Sequence, residues 1–533
     1  MNWSASDRKN LDKLKHLLVR FLRLQPMYGS HLNTYSATNA SNLPSFKERD
    51  WITLMGSGIN DMGEWPAKRR LYNMLSRLMV RNRAKDVEHE CPLPPLERRI
   101  VSLSMSSLEC MTYNVLQSLI MLNAALSQEK DKDYFFHTGN KKTLASVMEN
   151  VAMACFHFAG FEFLRQVQRA HDRILQQLNK PHGVAEQFKQ EAVEALYQIS
   201  AALQDQTWRE HVQQGDVLYK AEHPEERLLL SWSRRGSIWL TSEELLFLRN
   251  EYHKKSAHVL DARGLFEELL RCGAQYKHRK TGCTVSSATH RSPKTISTPK
   301  RNEPFLSEPS RVPALPAAFD DVLVHTSTST KLNGILQEIL EAVPGEKVLV
   351  FSTLHQVLNE IAKALELCRV PFLIYVSGMP QHLRNTYVNA FTHESQFRCL
   401  LMSTAIGGSG LDLHCASRII LTEPIWQWDL ESQAVKRAWR IGQTRRVLVS
   451  TYVMRHTYEE RVIERKKARF LNGTDAAEQL QTLTDDPDMR EFLARPHLVQ
   501  APSKKREITW TRPLLGDPAK LSFVHASKRA RHT

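Results

Sequence analysis

Residues 400–413 read LLMSTAIGGSGLDL, a continuous apolar run that passes into a glycine-rich turn. The run predicts a buried strand that ends near Ser403 and Thr404. Gly408 and Gly410 let the following backbone approach an anion closely. An ordinary strand-to-helix turn has the same composition. This segment alone therefore leaves a phosphate site and a purely structural turn as open alternatives.

Similar apolar runs flank this segment and alternate with helical patterns. The runs lie at 347–352 (KVLVFS), 371–376, 418–421 and 447–453, and the helical patterns at 331–342 and 356–368. Short apolar strands that alternate with helices indicate a parallel sheet covered on both faces. The sequence therefore predicts an α/β lobe over residues 319–472.

The chain is long and strongly basic. It has 533 residues, a net charge of +15 and a hydrophobic fraction of 42%. No apolar run approaches the roughly 18 residues of a membrane helix, so no membrane partner is expected. The charge favours a polyanionic partner, nucleic acid first, although a solvated basic linker and tail would give the same total. The eight cysteines include no Cys-x-x-Cys pair, and no metal site is predicted.

Outside the α/β lobe the composition changes several times. Residues 1–100 have a helix–loop–helix pattern, and residues 101–272 are mainly helical. Residues 273–318 are rich in Ser, Thr, Pro and basic residues, which is typical of a linker. Residues 473–533 form a polar, basic tail, and its clusters at 503–506 and 527–531 predict nuclear localisation.

A second segment of interest, residues 431–443, reads ESQAVKRAWRIGQ. On a helix, Arg437 and Arg440 share a face, and Gln433 joins them four residues before Arg437. Two adjacent guanidiniums repel each other unless an anion lies between them, and their planar donors match phosphate oxygens. A solvated basic face is the alternative explanation.

In their order along the chain, these segments resemble the Swi/Snf-type DNA-dependent ATPases of helicase superfamily two. The similar segments are 78–97 (LMVRNRAKDVEHECPLPPLE), 329–332 (STKL), 347–352, 378–391, 403–413, 433–443 and 457–462 (TYEERV). The resemblance is continuous over about 325–470 and sparser over 1–110. It implies a RecA-like lobe of the P-loop NTPase type at 319–472 and the remnant of a first ATPase lobe at 1–100, with a large helical N-terminal region.

The resemblance also implies a function and a site. The implied activity is ATP-dependent translocation on duplex DNA or nucleosomes, in chromatin remodelling or DNA repair, with ATP and Mg²⁺ bound between two lobes. The implied catalytic residues are Arg437 and Arg440. The implied ATP-binding residues are Gln433, Gly408, Gly410 and Asp412, and the implied DNA contacts are Ser352, Ser403, Thr404 and Arg384.

This sequence departs from the family pattern in several places. It contains no Gly-Lys and no Asp-Glu dipeptide, so the phosphate-binding loop and the Mg²⁺-binding carboxylates of a first lobe are absent from it. Residues 3–10 resemble the family's third motif without its Gly-Thr-Pro. Asp412 replaces the usual Asn, and Gln427-Trp428 replaces Asn-Pro after Trp426.

Because of the missing dipeptides, we expect the chain alone to have negligible ATPase activity. Two functions remain open at this point. The chain is either the C-terminal part of a motor ATPase whose first lobe is supplied elsewhere, or a degenerate, non-hydrolysing DNA- or chromatin-binding module. An RNA-directed helicase is a third alternative.

Overall fold

The computed structural model describes most of the chain from residue 91 onward. The described residues are 13–14, 72–73, 75–76, 91–126, 141–180, 188–234, 236–256, 262–282, 322–343, 345–376, 378–404, 411–471, 483, 486, 489, 492–493, 497–501 and 508–515. The chain forms two compact units, Met1–Pro92 and Leu93–Thr533, and the second holds nearly all of these residues. Apart from residues 13–14, 72–73 and 75–76, the predicted first-lobe remnant up to residue 90 lies outside the described residues. So do the linker beyond residue 282, Gly408 and Gly410, and both basic clusters of the tail.

The described residues form helices and short strands. The strands are β1 Leu96–Leu103, β2 Leu218–Glu222, β3 Trp239–Thr241, β4 Leu323–Ser327, β5 Lys347–Ser352, β6 Phe372–Tyr375, β7 Cys399–Ser403, β8 Ala416–Leu421, β9 Val447–Met454 and β10 Arg512–Pro513. The helices are α1 Ser107–Leu126, α2 Lys141–Ala154, α3 Phe161–Leu178, α4 Lys189–Gln204, α5 Gln206–Gln214, α6 Glu226–Trp232, α7 Ser242–Ser256, α8 Ala262–Gly282, α9 Thr330–Glu341, α10 His355–Leu367, α11 Gln381–His393, α12 Trp428–Val435 and α13 Tyr458–Leu471.

A six-stranded parallel sheet forms the centre of the C-terminal lobe, in the order β1-β9-β8-β5-β7-β6. Alternate residues of β5 enter separate cores. Val348 and Val350 pack with α9 and α10, whereas Leu349 and Phe351 pack with α11 and α12. Because helices cover both faces, every strand position can be apolar, and the runs predicted at β5 to β9 are all strands. The predicted α/β, RecA-like lobe is confirmed.

Strand β1 extends this sheet with residues from far upstream. Its residues 96–103 pair in parallel with 447–454 of β9. Its sequence, LERRIVSL, is too charged to predict a buried strand, but among the strands that the structure describes only β9 flanks it. Arg99 remains partly exposed while its guanidinium reaches the buried Glu338 of α9 at 2.9 Å. The strand therefore spans the domain boundary predicted at residue 100.

The predicted helical region over residues 101–272 is mainly helical and packs against the C-terminal lobe. Trp208 of α5 is fully buried and donates from its indole N–H to Thr112 of α1 at 3.1 Å. Glu109 of α1 accepts hydrogen bonds from the backbone N–H and the hydroxyl of Thr330, at 2.7 and 2.6 Å. Helix α1 is thereby anchored to the first residue of α9.

A smaller antiparallel sheet, in the order β10-β4-β2-β3, was not predicted. It joins the helical region to the lobe because β2 pairs with β4. Strand β10 adds the C-terminal residues 512–513 to the edge of β4. The buried Trp510 and Leu514 pack in the same core. The predicted polar tail over 473–533 thus includes segments that pack against the core.

Helix α8 continues to Gly282 and so includes the first residues of the range predicted as a linker. Gly273 lies where helix α8 packs against Ser231 of helix α6. A Cβ atom at this glycine would come within 2.7 Å of the Ser231 Oγ atom. The glycine thus permits close helix packing and does not mark a break in the helix.

Among the described residues, no helix is long and apolar enough to cross a membrane.

Candidate functional site

Predicted DNA-contacting residues lie together at the carboxyl edge of the large sheet. Ser352 at the end of β5 is paired in register with Ser403 at the end of β7. The next residue, Thr404, donates its hydroxyl to the Ser352 carbonyl at 3.4 Å. All three are buried, with 0 to 4% of the residue exposed. In the described part of the chain, the Ser403 Oγ atom has no hydrogen-bond partner.

Glu423, which sequence reasoning missed, connects this edge to strand β8. Its buried carboxylate accepts hydrogen bonds from the Ser352 hydroxyl at 3.0 and 3.2 Å and from the Thr353 hydroxyl at 2.8 Å. The Thr353 backbone N–H and the Thr422 hydroxyl also donate to it. The Ser352 hydroxyl is therefore already bonded within the protein. An acidic residue two positions after a buried strand was the available signal.

The predicted helix through Arg437 and Arg440 is wrong, because α12 ends at Val435. The chain tightens into turns, where the Arg437 and Ala438 amides donate to carbonyls three residues earlier, at 3.3 and 3.1 Å. The Arg437 carbonyl accepts the Leu413 amide at 3.0 Å, which a continuing helix would prevent. Tertiary contacts outweigh the helical spacing at this point.

The two arginines nevertheless lie together, beside Asp412. Burial lowers the pKa of Arg437, and the nearby charge of Arg440 lowers it further. The Arg440 Nε atom lies 3.6 Å from the Asp412 carboxylate. Burial alone would raise the pKa of Asp412, but hydrogen bonds from His414 and the charge of Arg440 outweigh burial and lower it. The cluster thus combines two guanidiniums with one ionised carboxylate.

Gln443 holds this arrangement in place. Its buried side-chain amide donates to the carbonyls of His414, Ala416 and Ala438, at 2.9, 2.8 and 3.1 Å. The preceding Gly442 has a φ of +101°, which side-chain-bearing residues rarely adopt. Gly442 and Gln443 therefore join the turns that contain Arg437 and Arg440 to the loop that contains Asp412.

Two other predicted site residues lie on neighbouring helices. Arg384 of α11 stacks over the ring of Tyr375, at 5.9 Å from its centroid, and Tyr375 also interacts electrostatically with Arg437. This places the predicted DNA contact Arg384 near the arginine pair. Gln433 is exposed in the last turns of α12. Gly408 and Gly410 remain predictions because they lie outside the described residues.

Trp428, which stands where the similar family has Pro, begins α12 and is flanked by two cations. The Arg98 guanidinium lies 5.6 Å from its ring centroid and the Lys466 ammonium 5.8 Å. Both cations also bind Glu431, at 2.6 and 2.5 Å. These contacts fix α12 between strand β1 and helix α13, directly before the arginine turns.

The arginine pair suits a phosphate ligand, but a metal site is not evident. Guanidinium donors match the oxygens of a terminal phosphate, and the partial exposure of Arg440 leaves it accessible. Within the described segments, no group of three or more His, Cys, Asp or Glu side chains could hold a metal ion. The residues here fit the triphosphate of ATP better than its Mg²⁺.

A parallel-sheet lobe with paired arginines against the loop that leads into β8 is typical of one class of protein. Residues 330–442 match the family model described as the helicase conserved C-terminal domain. The resemblance to Swi/Snf-type DNA-dependent ATPases is confirmed in this part of the chain.

Three relatives illustrate the similarity. DNA repair protein rad8 of Schizosaccharomyces pombe is 33% identical over 172 residues, covering 31% of this chain and 15% of that protein. ATP-dependent helicase ULS1 of Saccharomyces cerevisiae is 30% identical over 138 residues, covering 25% and 8%. Protein CHROMATIN REMODELING 24 of Arabidopsis thaliana is 31% identical over 178 residues, covering 32% and 16%. The matched segment thus spans less than a fifth of each relative.

Proposed function

We propose that this chain provides the second motor lobe of an ATP-dependent, Swi/Snf-like translocase that acts on duplex DNA or chromatin. The observation that carries the proposal is the placement of Arg437, Arg440 and Asp412 together beside the loop that leads into strand β8. The relatives named as a DNA repair protein, an ATP-dependent helicase and a chromatin remodelling protein support the same activity.

In this proposal, Arg437 and Arg440 hold the terminal phosphate of ATP from the side of the second lobe. They stabilise negative charge that develops during hydrolysis, which is where such donors are most effective. Asp412 keeps Arg440 in position, and Gln433, Gly408 and Gly410 complete that side of the cleft. The opposite side, with the ligands for Mg²⁺, belongs to a first lobe.

The proposed DNA contacts are Arg384 and the 352, 403 and 404 positions. Because the Ser352 hydroxyl and the Thr353 backbone N–H both donate to Glu423, we assign the DNA contact of Ser352 to a rearranged hydroxyl. Contacts of this type position a phosphate backbone without selecting its sequence, as translocation requires.

The positive charge of the chain and its basic tail clusters support a nuclear protein, which a fluorescent fusion would test.

The experiment that tests the proposal measures both ATPase activity and duplex-DNA binding. We expect the chain alone to bind DNA with strong salt dependence and to release phosphate only when a first lobe is supplied. DNA binding without activity, even with a first lobe present, would support the alternative of a non-hydrolysing DNA- or chromatin-binding module. Tighter binding to RNA than to duplex DNA would contradict both.

A further inference from the structure

A cavity of about 1070 Å³ opens where strands β1 and β9 end. Three separate parts of the chain line it: residues 104–105 after β1, residues between 455 and 464 across the turn into α13, and residues 492 and 497–501. Its volume is that of a small-molecule or single-nucleotide site. The proposed ATP and DNA residues do not line it.

One wall of the cavity is an ordered stack of planar groups. The rings of Phe492 and His497 are nearly parallel, with an interplanar angle of 11° and centroids 5.1 Å apart. The Arg461 guanidinium lies over Phe492 at 5.9 Å from its centroid. Two hydrogen bonds between Asn114 and the backbone of Val499, at 2.8 and 2.9 Å, fix this wall to helix α1.

The lining of the cavity carries two arginines and two carboxylates, and the cation that projects freely at its mouth is Arg455. Arg455 is exposed and forms no ion pair within the described segments, and the exposed His456 follows in a left-handed turn with φ 60°. The two carboxylates of the lining are engaged within the protein. Glu460 accepts the His456 amide at 2.7 Å, and Glu464 pairs with Arg461 at 3.2 Å.

The position of the cavity relates it to the proposed DNA contacts. Strand order places β8, β9 and β1 successively beside β5, and all of these strands are parallel. The cavity therefore opens at the same edge as Ser352, two to three strands away. Neighbouring strands are roughly 4.8 Å apart, so this separation is about 10–15 Å.

We propose that this cavity binds one nucleotide unit of a DNA strand. The phosphate lies near Arg455 and Arg461, and the sugar and base lie against the Phe492–His497 stack. Guanidiniums bind phosphate oxygens with directed, charge-assisted hydrogen bonds, and planar side chains accept any base. This inference rests on the proposed DNA-binding function and extends the DNA track along the sheet edge.

The test compares two exposed arginines at opposite ends of strand β9. Arg455→Ala alters the cavity, whereas Arg445→Ala alters the amino end, where Arg445 donates to the Gly345 carbonyl at 3.0 Å. Binding of a fluorescein-labelled DNA duplex is titrated at several salt concentrations. We expect Arg455→Ala to weaken binding about three- to tenfold and to lower the salt slope by about one. Arg445→Ala should match the unaltered chain.

Photocrosslinking provides a second, independent measurement. A strand that contains 5-iodouracil should form adducts with peptides covering 455–464 or 492–501. Equal binding by the two arginine variants, or adducts confined to other peptides, overturns this inference alone. Binding of polyglutamate is measured in the same way. If Arg455→Ala loses polyglutamate binding but keeps its DNA binding, the cavity is a peptide site and this inference is overturned. Absence of DNA binding by the unaltered chain overturns the proposed function and this inference with it.

Discussion

The Lys331 ammonium lies 2.5 Å from the Glu459 carboxylate, and both side chains are almost completely buried, at 1% and 0% exposure. The pair connects residues 329–332 with residues 457–462, two segments that each resemble the Swi/Snf-type family. Glu459 also accepts the Met454 amide at 2.8 Å. Burial raises the pKa of Glu459, and the Lys331 charge opposes that rise. The ion pair thus fixes the start of α9 to the start of α13.

Replacing Lys331 with Met should destabilise the lobe strongly. The change leaves Glu459 buried without a counter-charge, which lowers the free energy of unfolding by about 3–5 kcal/mol. Urea denaturation followed by circular dichroism measures the loss. The double variant Lys331→Met/Glu459→Gln should recover part of it, and strictly additive losses would show that the two residues are not coupled.

Glu423→Gln should weaken the connection between β5 and β8. The amide replaces an acceptor oxygen with a donor that faces the Ser352 or Thr353 hydroxyl. A mismatched buried hydrogen bond of this kind lowers the free energy of unfolding by about 1–3 kcal/mol. The control is Glu341→Gln, because Glu341 is exposed at the end of α9. If both variants unfold at the same urea concentration, Glu423 has no such role.

Arg440→Ala should abolish hydrolysis in a protein that also carries a first lobe. The loss of an arginine that stabilises transferring phosphate reduces the rate by about 10³–10⁵. Duplex-DNA affinity should be unchanged, since Arg440 is not one of the proposed DNA contacts. Arg445→Ala is again the matched control. Near-normal phosphate release by Arg440→Ala would falsify the assignment.

His157 should make the fold sensitive to mild acid. Burial lowers its pKa from 6.5 to about 4, while its ring lies 3.3 Å from the Gly215 carbonyl. Below pH 6.5 the unfolded chain binds a proton that the folded chain excludes. Stability is therefore complete above pH 6.5 and falls towards pH 4, by up to about 3 kcal/mol. Denaturation at pH 7 and pH 5 measures this slope, and His157→Gln should reduce it.

The sequence predicted the centre of the lobe because its strands are covered on both faces. Continuous apolar runs such as 347–352 require a buried environment, and each run became a strand of the parallel sheet. Strand β1 could not be predicted in this way. Its arginines are compatible with a strand because β9 is its one neighbour among the described strands and because Glu338 and Glu431 accept them.

The geometry of the candidate site could likewise be predicted only in part from the sequence. Spacing placed Arg437 and Arg440 on one helical face, and they do lie close together, but in turns. Their proximity depends on Gln443 and on the contact between Trp439 and the Pro94 carbonyl at 2.8 Å. Pro94 is 345 residues from Trp439, and periodicity cannot report contacts between segments so distant in sequence.

Strand β1 has a practical consequence for anyone who expresses or evolves this lobe. A fragment that begins at the lobe boundary near residue 319 would leave β9 as an open sheet edge, which invites intermolecular pairing. The native pairing closes a loop of more than 300 residues, so most of the chain must be synthesised before the sheet is complete. Fusing residues 93–106 to such a fragment through a flexible tether should restore its solubility.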